Sequence, residues 1–128
     1  TPAKPTEKKE ITIPSSAYID LESLIQNWTS QKRYLEPGVT IESVARELNT
    51  NRTYLSTYIN TNKQQTFRAW INHLRIEEAQ HLILTNPDLS ITEIGHMAGF
   101  SDKRNFSRTF SQVANQSPLA WKKEKMSR

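Results

Sequence analysis

Lys103, Arg104 and Arg108 fall within six consecutive residues, with Ser107 among them. At helical spacing these four side chains share one outward stripe, while Phe106, Phe110 and Val113 point the other way. Three cations and a hydroxyl on one helix face suit a polyanion: guanidinium groups pair bidentately with guanine or phosphate, and hydroxyls bond either. A second, weaker set lies about 50 residues earlier. There Leu55 and Ile59 point inward, so Arg52, Thr53, Ser56 and Thr57 point outward. Tyr54 and Tyr58, one turn apart, could pack at the core edge or reach a phosphate backbone.

Residues suited to catalysis are sparse. The histidines are His73, His81 and His96. His73 and His81 are two turns apart, and His73 with Glu77 is an i,i+4 pair, but two groups do not make a metal site. No Gly-rich phosphate loop or Ser-His-Asp arrangement is visible. The chain therefore does not read as an enzyme, and no cofactor is implied. The absence of cysteine excludes disulfides and thiolate metal sites.

Elements must hold those polar faces in place. The chain has 128 residues with 23% charged and 9% aromatic, enough for one folded domain. No apolar run approaches the ~18 residues that span a bilayer, so a cytoplasmic location is expected, although a full-length protein could be membrane-attached. Net charge is +4, unevenly spread. Residues 15–89 carry seven basic against eight acidic side chains; residues 90–128 carry seven against three. A basic half suggests a polyanionic partner.

Residues 1–14 are rich in Pro, Lys and Glu and read as a flexible linker from an upstream region. A first helix runs from a Ser15 or Ser16 cap to about Tyr34, with Tyr18, Leu21, Leu24, Ile25 and Trp28 on one face. Glu36-Pro37-Gly38 breaks it. Thr40 caps a short helix with Ile41, Val44, Ala45 and Leu48 inward; Asn49-Thr50 turns the chain; a further helix runs from Arg52 to about Thr61.

Thr66–Asn86 is a long amphipathic helix with Phe67, Trp70, Ile71, Leu74, Ala79, Leu82 and Ile83 at helical spacing. About 20 residues at ~1.5 Å each make a rod of about 30 Å. That is close to one turn of duplex DNA, ~34–36 Å. Beyond Pro87 the pattern returns. Ser90 and Glu93 form a capping box, Ile91, Ile94, Met97 and Ala98 face inward, and Gly99 turns the chain. Ser101 caps the next helix. Ser117-Pro118 opens a last one, where Leu119 and Trp121 close the core and Lys122, Lys123 and Lys125 extend outward.

The two short-helix pairs align. Ile41, Val44, Ala45, Leu48 and Asn49 match Ile91, Ile94, Gly95, Ala98 and Gly99. With one residue added in the second turn, Leu55, Ser56 and Ile59 match Phe106, Ser107 and Phe110. A small residue lets two helices cross closely, a left-handed residue turns the chain, and apolar residues seat the second helix. That is a helix-turn-helix, whose second helix lies in a major groove.

The stretches TIESVARELNTNRTYLSTYI, WINHLRIEEAQHLIL, SITEIGHMAGFSDKRNFSRTF and QSPLAWKK resemble the DNA-binding region of AraC/XylS-type bacterial transcription regulators, over roughly residues 16–124. The resemblance implies an all-α, homeodomain-like fold of seven helices. Two helix-turn-helix subdomains, about 40–61 and 90–114, are joined by the linker helix 66–86 within a domain covering 15–128. It implies sequence-specific binding of double-stranded DNA in adjacent major grooves, regulation of transcription, typically as an activator, and RNA polymerase as a second partner. It also implies an upstream sensor or dimerisation domain, the isolated domain being a monomer. Its base-contacting positions fall on Arg52, Thr53, Ser56 and Thr57; normal use of the second motif turns the outward stripe of Lys103, Arg104, Ser107 and Arg108 to the groove, while an Arg at 75 is usually structural.

The sequence departs from the family pattern in places. Asn115 and Gln64 stand where glycine is usual in the second and first halves. Ser111 replaces a common basic residue, and Thr57 and Asn60 stand where Arg or Lys is frequent, which weakens phosphate contacts in the first half. A protein-interaction module that kept the fold but lost DNA binding would share most of these features.

Overall fold

The computed structural model describes residues 15–127, with side chains from Leu21 onward. The 1–14 linker expectation and the side chain of Tyr18 lie outside the described residues. Among those described, the chain forms seven α-helices and no strand: α1 Ser15–Ser30, α2 Ile41–Glu47, α3 Arg52–Asn62, α4 Phe67–Thr85, α5 Ile91–Met97, α6 Lys103–Ala114 and α7 Pro118–Met126. A 3₁₀ turn, Arg33–Leu35, lies between α1 and α2. Two compact units result. The first holds α1, α2 and α3; the second holds Lys32–Gly38 and the chain from Arg68 through α7.

In the first unit Leu21, Ile25 and Trp28 of α1 are buried, as are Val44, Ala45 and Leu48 around α2 and Leu55, Tyr58 and Ile59 of α3. Tyr58 is therefore a core residue. The indole Nε1 of Trp28 donates to Glu47 Oε1 at 3.3 Å, which satisfies the one polar atom of a buried ring. Leu24 is 40% exposed, contrary to expectation. The buried stripe 21, 25, 28 is narrow, and Leu24 lies at its edge.

Helix α1 also ends earlier than its apolar pattern suggested. Lys32 adopts a left-handed conformation with φ 56°, which stops the helix before Tyr34. The segment it frees is fastened to the second unit by its own bonds. Lys32 Nζ reaches Glu78 Oε1 at 3.1 Å. Arg75 Nε donates to the Tyr34 carbonyl at 2.7 Å and its NH2 to the Glu36 carbonyl at 3.1 Å. Arg75 thus has the structural role expected of it, with backbone carbonyls as its partners. Burial, then the nearby Arg68 charge, lowers its pKa. Burial, then Glu78 and Glu77, raises that of Tyr34.

The second unit has one contiguous core: Ile76, Ala79 and Ile83 of α4, Ile94 of α5, Ala98, Phe100, Phe106 and Phe110, and Trp121 of α7. Its rings form a chain, Phe100 to Phe106 at 5.2 Å, Phe106 to Phe110 at 5.8 Å and Phe110 to Trp121 at 5.9 Å between centroids. The last two pairs meet edge to face, the arrangement that ring quadrupoles favour. Ile76, fully buried, belongs to this core although it was not among the α4 positions expected inward. Met97 and Leu119 do not belong to it, being 47% and 54% exposed. On these short helices the inward stripe is narrow, here Ile94, Gly95 and Ala98 and, on α7, Pro118 with Trp121, and Met97 and Leu119 fall outside it.

Helix ends follow local chemistry. Thr40 with Ser43, and Ser90 with Glu93, form reciprocal capping boxes. Ser117 caps α7, with proline at its first position. Left-handed turns fall at Asn49, Gln64, Gly99 and Asn115, φ 58°, 56°, 94° and 63°. Lys122, expected to extend outward, instead donates to the Pro87 carbonyl at 2.8 Å.

Gly95 is required by contact. A Cβ there would stand 2.7 Å from Cδ2 and 2.9 Å from Cγ of Phe106. Gly95→Ala should therefore cost about 1–3 kcal/mol in urea unfolding, as overpacked cores do. In a Phe106→Leu background, which places at 106 the residue type of the matching position 55, Gly95→Ala should cost less than it does in wild type. An undiminished unfolding midpoint in Gly95→Ala would contradict the close approach.

Candidate nucleic-acid interface

Each unit contains the same turn, built by the same bonds. In the first, Thr50 N donates to the Ala45 carbonyl at 2.9 Å and Asn49 N to the Arg46 carbonyl at 3.2 Å. In the second, Phe100 N donates to the Gly95 carbonyl at 3.0 Å and Gly99 N to the His96 carbonyl at 3.1 Å. Both are Schellman closures, in which a left-handed residue lets two amides return to the last helical carbonyls. Asn49 and Gly99 occupy the left-handed position. The following helices then start on carboxamide or carboxylate caps. Asn51 accepts from Tyr54 N at 2.9 Å, and Asp102 accepts from Arg104 N at 3.0 Å. Asp102, not Ser101, is thus the cap of α6, because the extra residue of the second turn moves the helix start by one.

Helix α3 packs on α2, and α6 on α5. Leu55 and Ile59 are fully buried, as are Phe106 and Phe110. Those contacts fix which faces remain outside. On α3, Arg52 and Thr53 are exposed and Ser56 and Thr57 are half-buried. On α6, Lys103, Arg104 and Arg108 are exposed and Ser107 is half-buried. All eight candidate residues thus lie off the core, four on each second helix. Asp102, Lys103, Arg104 and Ser107 line a single open concavity.

The two faces differ electrostatically. Arg52 is the only charged residue of α3, and its NH1 meets Glu42 Oε2 at 2.8 Å. Sequence reasoning missed that pair. The two positions are ten residues apart on different helices, beyond any single-helix rule. On α6 none of Lys103, Arg104 and Arg108 is ion-paired among the described residues. Arg108 NH2 instead bonds Asn105 Oδ1 at 3.0 Å, which holds its guanidinium along the helix. His73 Nε2 and Glu77 Oε2 are 3.1 Å apart on the surface of α4.

A family model described as a helix-turn-helix domain matches residues 44–124. The chain belongs to the AraC-type helix-turn-helix family. That span takes in most of α2, the whole of α3 to α6 and most of α7. The AraC-type chain is 34% identical over 87 residues to the Msm operon regulatory protein of Streptococcus mutans, covering 68% of this chain and 31% of the relative. The chain thus spans about a third of that curated relative's length. Among solved structures it is similar to the C-terminal domain of AraT, a response regulator from Geobacillus stearothermophilus. The TM-score is 0.73 with 28% identity, covering 82% of this chain and 84% of that one. The same fold occurs in the DNA-binding domain of the transcriptional factor AdpA, solved in complex with a target DNA. There the TM-score is 0.74 with 19% identity, over 85% of this chain and 95% of that one.

Asp102 faces two demands. Its carboxylate caps α6 yet lines the same concavity as the cations Lys103 and Arg104. Asp102→Ala should lower stability by about 1 kcal/mol through loss of the cap, whereas Asp102→Ser should keep most of it. Thermal unfolding followed by circular dichroism separates the two; equal melting temperatures for Ala and wild type would show that the cap contributes nothing.

Proposed function

We propose that this AraC-type domain binds double-stranded DNA sequence-specifically by placing α3 and α6 in successive major grooves, as the output domain of a larger transcription regulator. The observation that carries this reading is the pair of matching turns, each leaving a polar helix face clear of the core. Helix α4 has 19 residues, so it is about 28 Å long at ~1.5 Å per residue. That length is comparable with the ~34–36 Å repeat of the duplex. Further support comes from the family and from the complex of AdpA's DNA-binding domain with a target DNA.

The roles follow from chemistry. Arg104 and Arg108 read guanine or hold phosphate, Lys103 contacts phosphate, and Ser107 bonds a base or phosphate oxygen. On α3, Arg52 reads a purine, while Thr53, Ser56 and Thr57 supply hydroxyl contacts. Helix α6 supplies the larger share of electrostatic affinity, because its three cations are not neutralised by ion pairs. The isolated domain acts as a monomer, with sensing or dimerisation elsewhere in the regulator. RNA polymerase is its second partner, and the cytoplasm is its location. No described helix is long and apolar enough to cross a membrane.

Selection of sites from a random oligonucleotide pool supplies the duplex for the test. Arg104→Ala and Arg108→Ala should each weaken binding to it by about 1–3 kcal/mol where the side chain reads a base. Where it holds a phosphate, the slope of log affinity against log salt should fall by about 0.9. Both residues are exposed, so melting temperatures should not move. Unchanged affinity and slope in gel shifts for both variants would overturn the reading. A chain with no salt-sensitive affinity for any duplex would be a protein-interaction module instead.

A further inference from the structure

Glu42 is an acid within the unit that carries the first reading helix, and it has no counterpart in the second. The alignment of the two units places Thr92 opposite Glu42 and Lys103 opposite Arg52. Glu42 Oε2 takes one terminal nitrogen of Arg52, NH1, at 2.8 Å. The Nε and NH2 of Arg52 make no hydrogen bond among the described residues, so the guanidinium keeps a second edge with two parallel donors free. That edge matches the O6 and N7 acceptors of guanine in a major groove. Both partners are well exposed, with side-chain accessibilities of 69% for Arg52 and 54% for Glu42.

We propose that Glu42 is a specificity-determining residue: it neutralises and orients Arg52, so that the first reading helix recognises a base rather than anchoring to phosphate. This rests on the reading above, in which α3 enters a major groove. Phosphate contacts add affinity without regard to sequence, whereas base contacts discriminate. A lone arginine at the start of α3 would be drawn to the nearest phosphate. A carboxylate bonded to it opposes that capture twice, by competing for NH1 and by repelling the phosphate itself. An exposed ion pair is weak in water, so the pair can rearrange when a base offers both acceptors. Glu42 also lies in the first turn of α2, where a negative charge is favourable. That role is structural and independent of Arg52, and a double-substitution comparison separates the two.

The test uses the whole chain with two probes, the duplex selected from a random pool and a duplex of random sequence. Both are titrated with salt for wild type, Glu42→Gln, Arg52→Ala and the double variant. Glu42→Gln should bind the random duplex several-fold more tightly, with a salt slope steeper by about 0.9. The ratio of selected to random affinity should fall by a similar factor, and both effects should vanish when Arg52 is alanine. If Glu42→Gln changes nothing while Arg52→Ala weakens the selected duplex, the role of Glu42 is overturned and the reading of α3 stands. A gain that persists without Arg52 also overturns it, since the carboxylate then acts only through its field. If Arg52→Ala is silent on both probes in both backgrounds, the assignment of Arg52 as a reader fails, and the inference fails with it.

Discussion

The contact of Phe106 with Gly95 is the constraint from which the second unit is built. A reading helix can offer a polar face only if its opposite face is locked. Phe106 is fully buried, and the glycine opposite it leaves room for the ring and for no additional carbon. From that seat the aromatic chain runs to Phe110 and Trp121 on one side and to Phe100 on the other. Phe100 also closes the turn through its backbone amide. Packing and turn are therefore one device: the residue that completes the Schellman closure fills the core next to the helix it positions. In the first unit the matching positions are held by Ala45 and Leu55, both buried.

The same scaffold is used with different electrostatics. Helix α3 carries one cation bonded to Glu42, while α6 carries three, none ion-paired among the described residues. An exposed ion pair contributes little to stability, about 0–1 kcal/mol, so the Glu42–Arg52 bond matters more for what Arg52 can do than for the fold. Under the proposed reading, one helix is thereby suited to discrimination and the other to affinity as well as discrimination. Elsewhere charge serves structure. Arg75 is committed to two backbone carbonyls and lies over the Phe100 ring at 5.8 Å, and so contributes to the core's edge.

Much of this was legible from the residues in order. The Ser90–Glu93 capping box occurs where expected, and Thr40 caps α2 as expected, with Ser43 as a reciprocal partner that the sequence reading did not name. The repeat was legible because its logic is local: a small residue, then four positions later a residue that tolerates the left-handed region. That the eight candidate side chains lie off the core followed from helix geometry, although three of them, Ser56, Thr57 and Ser107, are half-buried rather than exposed. The misses have two causes, contact between parts distant in the chain and the narrowness of the inward stripes. Lys32 ends α1 early through a left-handed backbone that no pattern in α1 signals, and its side chain meets Glu78, 46 residues later. Leu24, Met97 and Leu119 are apolar by type but sit at the margin of narrow inward stripes. Arg52 points outward as expected, but its pairing with Glu42 was not foreseen, because Glu42 reaches it from another helix.

The central claim is that both units read DNA, each with its second helix in a major groove. Guanine N7 faces that groove, so methylation interference on the selected duplex reports the contacts directly. Two interfering segments centred about 10 base pairs apart, one helical turn, are the predicted result. Interference confined to a single segment, with the flanking turn indifferent to methylation, would contradict it.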